Sequence, residues 1–348
     1  MINKWRLLRD NIIKPRKHFA TEEALLRGID KKITPPTLRI RKYKPSTWIG
    51  IYQDIDEDIN LEYCKKNDIP VVRRHNPGGS VYQDNGSFCF SAFFNRKKFL
   101  KYIDTDNSNK LYNMIGKIVV NTLNYFGIEA EISEINDVTI NDKKVYGSAQ
   151  IDFYSAFSHS GTFLIDVDLD VMQKVLSPSN LKFIDKGFTS VRDRVVNLND
   201  VTNKQVKKED VIQKFIEIFS NYFNIKFSEN ELSKKELKII NNLYKNKYAT
   251  REWTYKKFPS SSIKVSKKAK SGIINLHCKF DENNKYIKKV FLTGDFLVSD
   301  SRSILNFYDE MKNTSLENVT SKLNNLSLPE DLQLNLIDLF NKIKKEVL

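Results

Sequence analysis

From Val71 to Phe94 the chain reads VVRRHNPGGSVYQDNGSFCFSAFF, and this stretch constrains the fold more than any other. Apolar residues alternate with polar ones on both sides of a turn made by Asn76, Pro77, Gly78 and Gly79. A period of two belongs to strands, and proline beside glycine closes off a helix, so the region must be sheet bent around a tight turn. Arg73 and Arg74 stand directly before that turn. Two readings fit these residues: a hairpin whose arginines face water, or a cradle in which glycine backbone N–H groups and an arginine hold an anion.

The same grammar runs along the rest of the chain. TEEALLRGIDKK, from Thr21, predicts a short helix with a capping-box-like start, and TLRIRKY and TWIGIYQ predict strands joined by a turn at KPS. A helix near Glu57 to Asn67 precedes the strand IPVVRR. NKLYNMIGKIVVNTLNYFG has helical periodicity and ends at Gly127, where glycine takes a left-handed cap. EAEISE, DVTI, KVYGSAQID and SGTFLIDVDL then read as strands, the middle two joined by NDKK. The region from Val206 to Tyr248 reads as mostly helical. Beyond KNKYATREWTYKKFPSSS come three strands, near Ile263, Ile273 and Ile287, and helices from about Ser301. The expected fold class is α+β: a mixed-sheet domain over residues 1–248 and a small α/β domain over 249–348.

Composition narrows the setting. No run of about 18 apolar residues occurs, and the start MINKWRLLRDNIIKPRKHFATEEALL lacks an apolar segment of signal-peptide length, so a cytoplasmic protein with no membrane association is expected. The formal net charge of +14 raises nucleic acid, a membrane surface or an acidic protein as partners. Its lysines are spread along the whole chain among asparagines, which is a general bias rather than a binding stripe. The densest cluster, SIKVSKKAKSG, reads as a solvated hairpin edge. Cys64, Cys89 and Cys278 are odd in number and isolated, so they form neither a disulfide framework nor a metal-ligand pair.

Four segments then occur in order: RRHNPGGSVYQDNGSFCFS, NDVTINDKKVYGSAQ, SHSGTFLIDVDL and KGFTSVRDRVVNL. Together they closely resemble the lipoate-protein ligase family, and FATEEALLRGI, PPTLRIRKYKPSTWIGIYQ, REWTYKKFP and VFLTGDFLVSD extend the resemblance over nearly the entire chain. It implies a biotin-ligase-like, class II synthetase-like domain with a small C-terminal domain, ATP and Mg²⁺ as cofactors, and lipoate as substrate. The implied chemistry is attack of a carboxylate on the α-phosphorus of ATP, then transfer of the acyl group to a lysine of an acceptor. Expected acceptors are the E2 lipoyl domains of 2-oxoacid dehydrogenases and the glycine-cleavage H protein.

Lys144 matches the family's catalytic lysine, and Lys143, one residue earlier on a strand, points the other way. Arg74, Gly78, Gly79, Ser80, Val81, Tyr82, Asn136, Asp137, Ser148 and Ala149 match the segments that hold ATP and the acyl-adenylate, with Asp137 as the Mg²⁺ ligand. Asn76, Gln83, Tyr146, His159 and Gly161 are assigned by the same resemblance to the acyl pocket. The chain departs from the family pattern in that pocket. Asn76 and Pro77 stand in the first two places of a run where the family usually has Ser or Thr followed by three glycines, Gln83 and Ser160 replace histidines, and Tyr146 is bulkier than usual.

Other classes fit less well. An octanoyltransferase of the same superfamily needs a cysteine nucleophile beyond HSGT, and none stands between Cys89 and Cys278. A biotin ligase carries a different glycine-rich segment. A non-catalytic adenylate-binding or nucleic-acid-binding relative would not need the full motif set. A monomer that does not bind nucleic acid is expected.

Overall fold

The computed structural model describes residues 3–10, 12, 14–105, 107, 109–133, 136–177, 190–283, 286–298 and 300–347. Lys186 to Thr189, which open the KGFTSVRDRVVNL segment, lie outside them. The fold is mixed α+β, built on an eight-stranded sheet in the order β11-β1-β2-β6-β10-β9-β8-β7. Its strands are β1 (Lys4–Arg9), β2 (Thr37–Arg41), β6 (Ser87–Asn95), β7 (Glu131–Ser133), β8 (Asp137–Ile140), β9 (Lys143–Phe153), β10 (Ala156–Leu164) and β11 (Lys226–Glu229). The β11–β1 and β1–β2 pairings are parallel, and every other pairing in this sheet is antiparallel.

Strand alternation divides this sheet into two unlike faces. Leu38 and Ile40 of β2, Phe88, Phe90 and Phe94 of β6, and Phe157 and Phe163 of β10 join the main core beneath the helices Lys110–Tyr125 and Lys208–Tyr222. Phe90 meets Phe215 with ring centroids 4.3 Å apart. Each such buried side chain contributes about 1.5–3 kcal/mol, which fixes which face turns inward. The opposite face carries Arg39, Arg41, Cys89, Ser91, Ser160 and Thr162, and the helix Pro15–Asp30 crosses part of it. Arg39, with no exposed surface, ties that helix down: its Nη1 donates to Glu22 at 2.5 Å and its Nε to Asp10 at 2.5 Å. Removing either partner would strand a buried charge.

A small sheet in the order β4-β3-β5 stands beside this polar face, formed by β3 (Ser46–Ile49), β4 (Val71–Arg73) and β5 (Val81–Gln83). The last sheet comprises β12 (Ile263–Ala269), β13 (Gly272–Phe280) and β14 (Ile287–Gly294), packed by the helices Ser301–Met311, Val319–Asn324 and Glu330–Val347 around a core of its own. Tyr52 belongs to that core and links it to the rest, stacking on Phe296 at 5.0 Å and 17° and accepting from the Gly294 N–H at 3.0 Å. Among the described residues, no helix is long and apolar enough to cross a membrane. All three cysteines are free and buried.

Several local expectations change. The helix expected to open at Thr21 begins at Pro15, whose ring suits the first helical turn, and the Thr21 hydroxyl instead donates to the Lys17 carbonyl inside it. The single helix near 57–67 is two, Ile55–Asp58 and Leu61–Lys66, broken at Ile59, which has extended backbone angles. Strand β1 was not assigned from sequence, and β11 falls in the region from Val206 to Tyr248 that reads as mostly helical. Sequence-distant parallel pairing creates them, and β11 is too short and polar to show a period. Gly127 does take φ +76°, and Asn141 and Asp142 at φ 49° and 63° form the tight turn between β8 and β9.

Candidate active site

The polar face of the large sheet is the floor of a cavity of about 670 Å³. Its walls are the Asn76–Gln83 segment, Asn136 and Asp137, and the β12–β13 turn at Lys268–Ile273 with Asp295 and Leu297. An apolar arm runs under Leu164, Met172, Leu176, Val191 and Val195. A second hollow of about 800 Å³, at Arg96, Lys101, Lys110 and Tyr154, contains none of the motif residues.

Four consecutive strands place one residue each in a straight row across the floor. Gly147 of β9 opposes Thr162 of β10, Thr162 opposes Cys89 of β6, and Cys89 opposes Arg41 of β2. Side chains of such a row project to the same side. Lys144 reaches over the Gly147 end, because a β-bulge shifts the β8–β9 register between Val138 and Thr139. Its Nζ lies 2.7 Å from Asp137 Oδ1, with about a third of the side chain exposed, while Lys143 points to solvent. The lysine is therefore half-open to the cavity rather than fully buried.

Of the adjacent arginines, Arg73 is structural. With no exposed surface, it donates to the carbonyls of Gly50 at 2.8 Å and Gln53 at 2.7 Å. Arg74 lines the cavity, and its Nη2 donates to the carbonyls of Pro77 at 3.0 Å and Gly79 at 2.7 Å. Burial first, and then the neighbouring Arg73, push its pKa down to about 10. Such a site gains from an arriving anion. Gly78 has φ +92°, a backbone conformation reserved for glycine, and the Gly50 Cα packs against the Gly78 carbonyl so closely that a Cβ there would stand 2.2 Å from it.

Asn136 and Ser148 hold each other across β8 and β9: Asn136 Nδ2 donates to the Ser148 carbonyl at 2.7 Å, and Ser148 N–H donates to the Asn136 carbonyl at 2.9 Å. Asn76, Gly79, Ser80, Val81, Tyr82, Gln83 and Ala149 also line the cavity. Gln53, at the end of TWIGIYQ, was not assigned from sequence. Its Oε1 accepts from Gly50 N–H at 3.0 Å and Ser80 Oγ at 2.9 Å, so it shapes the same loop. Gly147 was also unassigned, although it stands inside KVYGSAQ.

Three expected pocket residues are not on this wall. Tyr146, His159 and Gly161 project to the other face, into the main core, because their neighbours Gly147, Ser160 and Thr162 occupy the cavity side. His159 has no exposed surface, and its Nε2 meets Tyr146 Oη at 3.0 Å and its Nδ1 meets Gln150 Nε2 at 3.1 Å. Burial lowers its pKa to about 3, so it is a neutral part of the core. Gly161 is a glycine because the Tyr146 side chain lies across it, with its hydroxyl oxygen 2.1 Å and its nearest ring carbon 2.5 Å from where a Cβ would sit.

Among the described residues, no group of three or more His, Cys, Asp or Glu side chains could hold a metal ion by itself. A Mg²⁺ ion carried mostly by phosphate oxygens needs only one or two carboxylates, and Asp137 at the cavity wall fits that need.

A family profile described as Lipoyl protein ligase A/B catalytic domain matches residues 14–220. Lipoate-protein ligase A subunit 1 of Thermoplasma acidophilum is 32% identical over 251 residues, 68% of this chain and 91% of that protein. A solved structure of a bi-partite lipoate protein ligase from Thermoplasma acidophilum, described with its E2 lipoyl domain, aligns with a TM-score of 0.63 at 30% identity. It covers 75% of this chain and 99% of its own. A structure of lipoate-protein ligase A bound with ATP aligns with a TM-score of 0.62 at 28% identity, over 72% of this chain and 98% of its own. With its profile match over more than half its length and its lysine-bearing cavity on a shared fold, the chain belongs to the lipoate-protein ligase family of enzymes.

Proposed function

We propose that this chain activates lipoate with ATP to lipoyl-AMP and passes the lipoyl group to a lysine of an acceptor lipoyl domain or H-type protein. The observation that carries this reading is the position of Lys144, held by Asp137 above the side-chain-free Gly147 at one end of the trough. In adenylation a carboxylate oxygen of the acid bonds to the α-phosphorus while the bond to pyrophosphate breaks. In transfer the acceptor amine bonds to the acyl carbon while AMP leaves. Both steps build charge on oxygen, and a fixed ammonium beside the arginine-held loop 76–80 stabilises it without reorganising. Asn136, paired with Ser148, sets the position of Asp137, and Asp137 is the residue that would take Mg²⁺ arriving with the triphosphate. The apolar arm between Leu164, Met172 and Val195 suits a nucleobase.

In the same reading, residues 1–248 form the catalytic domain and 249–348 an accessory domain whose β12–β13 turn closes the cavity. The deciding experiment is pyrophosphate release from ATP by the purified protein, with and without lipoate. Release is expected only with lipoate, and Lys144→Ala is expected to lower it by about 10²–10³, whereas Lys143→Ala leaves it intact. Release that ignores lipoate, or full activity in Lys144→Ala, refutes the reading.

A further inference from the structure

The end of the trough opposite Lys144 is closed by a charged group. In the floor row, Arg41 stands three strands from Gly147, which at the usual strand spacing is about 14 Å. Such a length accommodates a medium-chain acid with its carboxyl under Lys144 and its tail at Arg41. Only 5% of Arg41 is exposed, yet its donors are poorly used. Nη2 donates to the Phe90 carbonyl at 3.3 Å and to the Cys89 sulfur at 3.6 Å. Nε has no partner, and Nη1 lies 3.7 Å from Glu22 Oε2, beyond hydrogen-bond reach.

The surroundings explain why the arginine holds its place regardless. Its guanidinium packs near the rings of Trp48 at 5.7 Å and Tyr43 at 5.8 Å, and Glu22 balances the charge. Glu22 is itself committed to Arg39 and to the Ser91 hydroxyl, at 2.5 and 2.7 Å. A buried guanidinium with idle N–H groups at a cavity wall is an incomplete site, since each unmet donor costs free energy until a ligand satisfies it.

Building on the function proposed above, we infer that Arg41 is a specificity-determining residue, selecting acyl chains with a hydrogen-bond acceptor at the far end over bare alkyl chains of equal length. A ring sulfur or a carbonyl oxygen at the tail accepts from the idle guanidinium N–H groups. A plain methyl end leaves them unmet and buries them further. The neutral balance of Glu22 and Arg41 favours an uncharged acceptor over a second carboxylate.

The test measures calorimetric affinities of lipoate, octanoate and a straight-chain acid of similar length ending in a methyl ketone, for wild type, Arg41→Leu and Arg41→Lys. Pyrophosphate release is run in parallel. Wild type is expected to bind the ketone acid about tenfold to a hundredfold tighter than octanoate, the scale of one hydrogen bond to a charged donor, with lipoate, whose ring sulfur is a weaker acceptor, in between. In Arg41→Leu the ratio should fall towards one, and Arg41→Lys should keep an intermediate ratio. Equal binding of ketone acid and octanoate by wild type overturns the inference, and that comparison stands alone if Arg41→Leu does not fold. An undiminished ratio in folded Arg41→Leu overturns it as well. Acceptor-selective binding without pyrophosphate release would instead refute the ligase reading while leaving the trough assignment in place.

Discussion

Gly147 lies so close beneath the ammonium of Lys144 that a methyl group on its Cα would stand 2.3 Å from both Cε and Nζ. Those are the free end of a long side chain, so an added methyl moves the lysine rather than the strand. Gly147→Ala is therefore expected to fold with stability within about 0.5 kcal/mol of wild type, as ordinary half-exposed substitutions do. Adenylation should fall by about 10² as the ammonium leaves its place beside Asp137. Thermal unfolding and pyrophosphate release on the same preparation check this, and unimpaired release would show that the lysine is not held for chemistry.

The Asn76–Ser80 loop depends on Arg74, whose planar head reaches two carbonyls at once. Lysine keeps the charge and loses the fork. Arg74→Lys should raise KM for ATP by about tenfold with little change in the KM for the acid. Pro77→Gly loosens the same loop from the unfolded side, at about 0.4–1 kcal/mol of stability. Comparison of the two variants in steady-state kinetics separates loop shape from loop rigidity, and an unaltered KM for ATP in Arg74→Lys would detach the arginine from the nucleotide.

Acid should destabilise the protein through two buried histidines. Burial holds His159 at about 3, and burial, only partly offset by Glu23, holds His75 at about 4. Both titrate near 6.5 in an unfolded chain. The unfolded state thus binds the proton first, so the stability these groups contribute is full above pH 6.5 and drains as pH falls towards 4. Each adds about 1.4 kcal/mol per pH unit to the slope over that window. Glu23, held at about 2 because His75 and Lys247 outweigh its burial, loses its contribution only below about pH 4.5. Urea unfolding at pH 7, 6 and 5 measures the slope, and His159→Gln should reduce it by one proton; an equal slope in that variant contradicts the assignment.

The net charge of +14 makes a prediction about the second half-reaction. Transfer to an acidic acceptor domain is steered by surface charge and should slow as salt rises from 0.05 to about 0.5 M, where the Debye length shrinks to a few ångströms. Adenylation takes place inside the cavity and should change much less. Single-turnover rates for the two steps decide, and parallel salt responses would remove the surface from acceptor recognition.

Much of the site is legible locally because each signal lies within a few residues. The Asn76–Gly79 turn, the left-handed Gly127, the Asn141–Asp142 turn and the opposite directions of Lys143 and Lys144 follow from backbone angles and a period of two. Alternation also shows that His159 and Ser160 must face opposite ways. It does not show which one meets the cavity. That was decided by the helices Lys110–Tyr125 and Lys208–Tyr222, which claim the Phe90 and Phe163 face as core and draw Tyr146, His159 and Gly161 with it. Strands β1 and β11 were hidden for a related reason, since parallel partners more than two hundred residues apart leave no local trace. The row from Gly147 through Thr162 and Cys89 to Arg41 is likewise a product of register across four strands. The sequence by itself determined the fold class, the tight turn at Asn76–Gly79 and the opposite directions of Lys143 and Lys144. Only the tertiary structure decided which sheet face became the trough and which residue closes its far end, because those depend on the packing of segments that no short-range pattern connects.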